Sequence, residues 1–121
     1  MIGVIVAHER DKPMLELCIQ GILNNCKNID RVVVISKNCL SPLAEWIDEA
    51  KFPFTYTDVS DIVGNTSRTG WYYQQLLKLY ALDILQEEEC LIVDADTIFL
   101  KPVEFKKDEK CLFNFGSEHH T

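Results

Sequence analysis

Two carboxylates separated by one residue, Asp94 and Asp96, directly follow the apolar run 91–93. A short apolar run of this kind predicts a strand buried on both faces. Because side chains at positions i and i+2 of an extended chain point the same way, we expect both carboxylates to project together. A divalent cation such as Mg²⁺, bound through oxygen, relieves the repulsion between two such charges. The pair therefore predicts a metal site, and a solvated strand end is the alternative.

A helix predicted from Trp71 to Gln86 leads into this strand. Its first two turns carry a polar stripe at positions i, i+3, i+4 and i+7, formed by Trp71, Gln74, Gln75 and Lys78. The rest of the helix is almost wholly apolar. The stripe predicts a functional cluster of polar side chains at one end of the domain, with Lys78 beside the acidic pair. The alternative is that the helix start is simply exposed to solvent. A metal ion and a lysine together would neutralise a diphosphate.

Length and composition indicate one soluble globular domain spanning residues 1–121. The formal net charge is −7 and no cluster of Lys and Arg stands out, so nucleic acid and anionic membranes are not expected as main partners. No stretch is long enough to predict a membrane span, and the apolar start is too short for a signal peptide. The five cysteines form no C-x-x-C pair, which favours free thiols in a reducing compartment. We therefore expect a cytoplasmic protein.

Strands and helices are predicted to alternate along the chain. The predicted elements are a strand at 2–7, a helix beginning at Asp11 to Pro13, a strand at 31–35, a short helix after Ser41-Pro42 that carries Leu43 to Ala50, a strand at 52–59, a loop at 61–70 and a last strand at 111–115. This alternation predicts a largely parallel sheet covered on both faces. Three polar pairs, His8-Glu9, Ser36-Lys37 and Asp94 with Asp96, follow strands, where such sheets bind ligands.

At this point the sequence resembles the glycosyltransferases of the GT-A fold. Asp94-Ala95-Asp96 after Leu91-Ile92-Val93 resembles their Asp-x-Asp motif, in the Asp-Ala-Asp-Thr form of glycogenin-like and bacterial lipopolysaccharide sugar transferases. Leu77-Lys78-Leu79 is similar to the Lys-Leu that precedes that motif. The segment 70–79, the apolar-Asn strand ending at Asn114 and the segment Glu118-His119 resemble further glycosyltransferases with little-described acceptors.

The resemblance implies a GT-A, Rossmann-like α/β domain with a mostly parallel sheet, forming the N-terminal portion of the full fold. It implies a metal-dependent glycosyltransferase that takes a UDP- or GDP-sugar and transfers the sugar to an unknown glycan, lipid or protein. Asp94 and Asp96 would hold Mn²⁺ or Mg²⁺ against the donor diphosphate. The second half of such enzymes carries acceptor contacts and, in inverting members, the base, so no catalytic residue is named.

The same resemblance assigns the donor-binding residues. Lys78 would contact the phosphates, Ala95 would lie near the ribose, and Ala7, His8 and Glu9 would cradle the nucleoside. Trp71 and Gln75, from the polar stripe, would join them. Asn114, Glu118 and His119 would contact the acceptor or the donor sugar.

Two other families share part of the pattern. A phosphatase of the haloacid-dehalogenase type would use Asp94 as its nucleophile, although such enzymes carry that motif near the start of the fold. A non-catalytic receiver-like module would use Glu9 and Asp11 as its acidic pair and Asp58 as its lone aspartate. Both remain alternatives at this stage.

Overall fold

The computed structural model describes residues 1–87, 89–104, 106, 107, 110 and 111. In chain order the elements are β1 (Ile2–Val6), α1 (Lys12–Asn25), β2 (Cys26–Lys27), β3 (Arg31–Ser36), β4 (Glu45–Asp48), α2 (Tyr56–Val63), α3 (Thr69–Leu85), β5 (Cys90–Asp94), β6 (Val103–Glu104), β7 (Lys106–Lys107) and β8 (Lys110–Cys111). Single 3₁₀ turns lie at Glu9–Asp11 and Glu49–Lys51. No helix within the described ranges is long and apolar enough to cross a membrane.

The main sheet has four strands in the order β4-β3-β1-β5, and every pairing in it is parallel. Two small pairs, β2 with β6 and β7 with β8, lie apart from it. This confirms the predicted α/β class with a largely parallel sheet. Parallel strands require crossover connections, and the helices that make them cover both faces of the sheet.

Hydrophobic clusters lie on both faces of the sheet, because alternate side chains of a strand point to opposite sides. Ile5 of β1 packs with one face of α1, through Leu15, Cys18, Ile19 and Ile22. Val4 and Val6 pack on the other face, with residues of α2 and α3 that include Val59, Tyr73 and Leu77. Each fully buried Val, Leu or Ile contributes roughly 1.5–3 kcal/mol to stability, so the four buried aliphatic residues of β1 hold this strand firmly in the core. The predicted strand at 2–7 is confirmed.

The predicted short helix at 43–50 is wrong. Residues Glu45–Asp48 instead form β4, an edge strand hydrogen-bonded to β3. Ser41 does make the expected local bond, since its hydroxyl accepts from the Leu43 amide at 3.1 Å. Pairing with the open edge of β3 outweighs the helical spacing, and Arg31 adds two bonds of 2.7 Å to the Glu45 carboxylate. Long-range pairing thus overrides a local pattern.

The predicted strand at 52–59 is also wrong, because α2 begins at Tyr56 within it. Thr55 and Asp58 form a capping box: the Thr55 hydroxyl accepts from the Asp58 amide at 3.1 Å, and the Asp58 carboxylate accepts from the Thr55 amide at 2.9 Å. Two amides that would lack partners at a helix start are satisfied in this way. The loop predicted for 61–70 is correspondingly shorter, since α2 runs to Val63 and α3 starts at Thr69.

The start of α1 differs in one detail from the prediction. The helix does begin next to Asp11 with Pro13 in its first turn, but the Asp11 side chain makes no bond to α1. Its carboxylate accepts from the His8 amide at 2.9 Å and so belongs to the loop after β1.

The helix predicted from Trp71 to Gln86 is confirmed as α3, and Gln86 ends it in the left-handed conformation.

The strand that carries the acidic pair is less buried than predicted. Within the described residues, β5 pairs on one side only, with β1, and of its five residues Val93 alone is buried. Asp94 ends the strand, and Asp96 lies in the turn that follows, closed by a 3.0 Å bond from the Thr97 amide to the Asp94 carbonyl. The strand-alternation argument therefore does not apply to Asp96.

Of the strand predicted at 111–115, Cys111 ends β8 and the remainder lies outside the described residues.

Replacing Thr55 by Ala tests the cap of α2. We expect Thr55→Ala to lower the free energy of unfolding by about 1 kcal/mol, because it removes one side of the capping box. Urea unfolding followed by circular dichroism measures the change. Thr57→Ala, on an exposed position of the same helix, is the matched control and should leave stability unchanged or slightly raised. Equal stability of the Thr55 variant and wild type would contradict the cap.

Candidate functional site

The order of the strands places a crevice at one end of β1. From β1 the chain passes to β3 and β4 on one side, and then returns to β5 on the other side. Val6, at the carboxyl end of β1, is in register with Ile35 of β3 and Asp94 of β5. In open α/β sheets, ligands bind beyond the carboxyl ends of the strands at such a reversal. The loop after β1 and the end of β5 therefore border the expected site.

A cleft of about 760 Å³ opens at this end of the sheet. It is lined by the loops after β1 and β3, by the first two turns of α3 and by single residues from other elements: Val6, Ala7, His8, Glu9, Arg10, Ser36, Lys37, Asn38, Leu40, Glu49, Tyr56, Ser67, Gly70, Trp71, Tyr73, Gln74 and Leu77. Its volume lies within the range of small-molecule sites. The cleft thus has the size and the position for a nucleotide-sized ligand.

The loop after β1 has a fixed conformation. Nδ1 of His8 accepts a bond of 3.2 Å from the Arg10 amide, and the Asp11 carboxylate accepts from the His8 amide. Because Nδ1 accepts, the proton of the neutral imidazole resides on Nε2, which remains a donor. The Glu9 carboxylate accepts a 2.8 Å bond from the Asn38 amide group, which joins this loop to the loop after β3. The floor of the cleft is therefore set by bonds between loops that are distant in sequence.

A tyrosine and a glutamate form a pair inside the cleft. Tyr73 on α3 is buried, and Glu49 lies in the 3₁₀ turn after β4. Burial, followed by the charge of Glu49 and its hydrogen bond with the phenol, raises the pKa of Tyr73 to about 12. The neutral phenol is thus the form that the cleft favours, and it serves as a hydrogen-bond donor at physiological pH.

The start of α3 presents an aromatic ring and backbone amides at the cleft. Trp71 is half exposed, and the Arg68 guanidinium lies 4.9 Å from its ring centroid. No side chain caps the first turn of this helix, which carries no acidic residue. The partial positive charge of a helix N-terminus favours an anion nearby. Arg10 and Lys37 add two cationic side chains to the lining of the same cleft.

An ion pair lies at the end of β5, outside the lining of the cleft but in register with Val6 of β1. Lys78 Nζ on α3 donates to Asp94 Oδ1 at 2.8 Å. The two side chains differ in exposure, at 18% for Lys78 and 66% for Asp94. The lysine stem is therefore packed within the protein, whereas the carboxylate opens to solvent. Asp96, two residues further on, is also exposed.

The turn that carries both carboxylates rests on α1. Cys18 Sγ lies 3.6 Å from the Asp94 carbonyl, to which the thiol donates. Asn25 donates to the Phe99 carbonyl at 2.6 Å. Between them, a Cβ at Gly21 would lie 3.1 Å from the Phe99 amide nitrogen and 3.2 Å from its carbonyl oxygen. Cys18, Gly21 and Asn25 share one stripe of α1, which we call the α1 ledge.

The charges of both carboxylates contribute to the raised pKa of the Cys18 thiol. Burial, followed by the charges of Asp96 and Cys26, raises the pKa of Cys18 to about 11, and the charge of Asp94 adds to the shift. Both carboxylates therefore act on a single thiol.

The family described as a family of unknown function (DUF6492) matches residues 17–116. The match covers most of the chain, from α1 through the Lys78–Asp94 pair and Asp96. The chain belongs to this family. Its description names no activity and assigns none to this chain. No curated protein and no solved structure matches the chain.

In this DUF6492 domain, the sequence-predicted residues fall into separate groups. Four of the donor-binding residues line the cleft: Ala7, His8, Glu9 and Trp71. Lys78 lies against Asp94, as expected, but neither Lys78 nor the half-buried Gln75 is among the residues that line the cleft. Ala95 is buried and packs with the cluster under α1. Asn114, Glu118 and His119 lie outside the described residues.

A metal site formed by protein ligands alone is not apparent in the part of the chain that the structure describes. There, no group of three or more His, Cys, Asp or Glu side chains is placed to hold an ion. Asp94 and Asp96 would supply two carboxylates. Mg²⁺ is commonly held by one or two carboxylates together with substrate phosphates. The donor set thus fits a metal that a phosphate ligand helps to bind.

Some residues of the cleft were not predicted from the sequence. The rule that ligands bind at strand ends identified Ser36 and Lys37 after β3, but Asn38, the next residue, was not included. Glu49 could not be found, because the segment before it was predicted as a helix. Tyr73 lies next to the polar stripe but not on it, and only the packing of α3 against the sheet turns it toward Glu49.

The α1 ledge can be tested at Gly21. We expect Gly21→Ala to destabilise the protein by about 1–2 kcal/mol, since the new methyl group meets the backbone of Phe99, which Asn25 holds in place. Chemical unfolding measures the loss. Gly70→Ala is the matched control: a Cβ there meets nothing within 4 Å, so the variant should be unchanged or more stable. If Gly21→Ala were as stable as wild type, the contact would not be tight.

The Tyr73–Glu49 pair predicts a change of stability at alkaline pH. Burial, followed by the charge and hydrogen bond of Glu49, raises the pKa of Tyr73 to about 12, so the folded state favours the neutral phenol and this contribution to stability is complete below the ordinary pKa of tyrosine near 10. We expect this contribution to be lost as the pH rises from 10 through 12. Unfolding free energies measured across that range should fall less steeply for Tyr73→Phe than for wild type. Tyr72→Phe, which removes an exposed phenol, should retain the wild-type slope.

Proposed function

We propose that this chain is the nucleotide-sugar-binding domain of a metal-dependent glycosyltransferase of the GT-A type. The observation that carries the proposal is the Lys78–Asp94 pair at the end of β5, because Asp94 is in register with Val6, which lines the nucleotide-sized cleft. Asp96 in the next turn supplies a second carboxylate. The proposal also rests on the sequence resemblance around the Asp94-Ala95-Asp96 motif.

The strand order supports this assignment over the two alternatives. A receiver-like module has its strands in the order 2-1-3-4-5, so the third main strand lies beside the first. Here β4, the third main strand in chain order, lies beyond β3 and is separated from β1. A phosphatase of the haloacid-dehalogenase type would need its aspartate on a strand near the start of the fold, whereas Asp94 ends the fourth main strand.

A nucleoside diphosphate fits the charges around the crevice. The nucleoside would occupy the cleft, where the ring of Trp71 offers a surface for stacking and Glu9 and Asn38 offer polar groups. Its phosphates would lie toward the end of β5, within reach of the Lys78 ammonium. Lys37 and the start of α3, where no side chain caps the helix, add positive potential to the cleft.

The division of chemical roles follows from this placement. Asp94 and Asp96 would hold a divalent cation, Mn²⁺ or Mg²⁺, and that cation would supply charge stabilisation to the leaving nucleoside diphosphate. Lys78 would donate a charge-assisted hydrogen bond to a phosphate oxygen. The loop after β1 would orient the nucleoside and exclude water from one side of it. The acceptor would be a glycan, a lipid or a protein.

Calorimetric titration of UDP and of GDP tests the proposal. We expect one of the two nucleotides to bind in the presence of Mn²⁺ and to lose its affinity in EDTA. Asp94→Asn and Asp96→Asn should each weaken this binding at least about tenfold, as losses of charge-assisted ligands do, and the double variant should abolish it.

Asp30→Asn is the matched control for these variants. It makes the same chemical change on an exposed residue just before β3, at the opposite end of the sheet. Nucleotide binding that persists in EDTA, or that the double variant retains, would contradict the metal-dependent site. Binding of neither nucleotide under any condition would contradict the proposed function.

A further inference from the structure

We infer that Lys78 is a built-in counter-ion for Asp94, which it releases only when a metal ion and a diphosphate bind together. This inference rests on the proposed function and concerns the order in which the site is filled. It predicts that the protein binds metal alone weakly and binds metal with a nucleoside diphosphate well.

The geometry of the pair supports this role. Lys78 Nζ lies 2.8 Å from Asp94 Oδ1, so the ammonium already neutralises the carboxylate that a metal ion would bind. The lysine side chain is only 18% exposed and thus approaches the carboxylate from within the protein. The Asp94 side chain is 66% exposed and can be reached from solvent. Both cations would therefore compete for one carboxylate, from opposite sides.

Electrostatics sets the outcome of this competition. A metal ion that binds without another anion must either displace the ammonium or remain close to it, and like charges at short distance repel. A diphosphate changes the balance, because it offers the displaced ammonium a new anionic partner. Metal and nucleotide then increase each other's affinity. This coupling is reciprocal, as binding linkage requires.

Asp94 can exchange Lys78 for a metal ion without a change in the backbone of its turn. The Asp94 backbone is held on the other side by Cys18, and the turn is closed by the Thr97 amide. The carboxylate can therefore change partners while the backbone of the turn keeps its position. Only the long side chain of Lys78 has to move, through rotations about its own bonds.

Lys78→Met separates the two roles of the lysine, because it keeps the apolar stem and removes the charge. We expect this variant to bind Mn²⁺ alone at least about threefold more tightly than wild type, since the competing cation is gone. It should bind UDP or GDP in saturating Mn²⁺ at least about tenfold more weakly, since a charged phosphate contact is lost. A purely structural role for the lysine would not produce opposite changes.

Two measurements give these affinities: free Mn²⁺ by electron paramagnetic resonance, and nucleotide binding by calorimetry. Lys27→Met is the matched control, because Lys27 is exposed and lies on β2, away from the cleft. It should leave both affinities at the wild-type value. Circular dichroism and thermal unfolding establish that each variant is folded, and Lys78→Gln, which also removes the charge, replaces Lys78→Met if that variant is not.

The outcomes distinguish this inference from the proposed function. Tighter binding of Mn²⁺ alone together with weaker nucleotide binding supports the counter-ion role. Unchanged or weaker binding of Mn²⁺ by the variant overturns that role, even though the wild type still binds nucleotide with metal. If the wild type binds neither Mn²⁺ nor nucleotide, the proposed function fails and this inference fails with it.

Discussion

The parallel pairing of β1 with a strand on each side is the constraint on which the rest of this structure depends. All five residues of β1 are buried, and its end is in register with Ile35 of β3 and Asp94 of β5. Because all of these strands run in the same direction, the loops after them meet at one end of the sheet. The cleft and the acidic pair both result from this meeting.

Two helices on opposite faces of the sheet fix the acidic turn. From one face, the α1 ledge holds the turn by its backbone, through Cys18, Gly21 and Asn25. From the other face, α3 reaches the Asp94 side chain with Lys78. The backbone and the carboxylate are thus held independently. A turn that is rigid in its backbone and exchangeable at its side chain suits a site that binds a charged ligand reversibly.

The electrostatics of the region also divide into two parts. In the cleft, a neutral tyrosine beside a glutamate, an imidazole with its Nε2 as donor, and a half-exposed indole form a polar and aromatic surface. At the end of β5, a lysine and two carboxylates form a charged one. A nucleoside diphosphate has the same division, with an aromatic base at one end and phosphates at the other. This correspondence is the physical basis of the proposed function.

The sequence alone was sufficient where a local pattern and the tertiary structure agree. The apolar runs of β1, β3 and β5, the amphipathic α1 and the long α3 were predicted, as were the parallel sheet and the proximity of Lys78 to Asp94. It was insufficient where a local pattern competes with a long-range strand pairing or with a second local signal. Residues 45–48 have helical spacing but complete the edge of β3, and residues 52–59 have strand-like alternation but contain the capping box of Thr55 and Asp58.

The sequence by itself therefore determined the class of the fold and the strand that ends at Asp94, and it predicted Asp94, Asp96 and Lys78 as residues that would bind a metal and a phosphate. Only the tertiary structure decided that β5 pairs on a single side within the described residues, that Glu9 bonds Asn38, and that Tyr73 meets Glu49. It also showed that α1 supports the acidic turn through Cys18, Gly21 and Asn25. The physical reason is the distance along the chain over which each signal acts. Hydrophobic periodicity and helix caps involve residues a few positions apart, whereas these contacts join segments that only folding brings together.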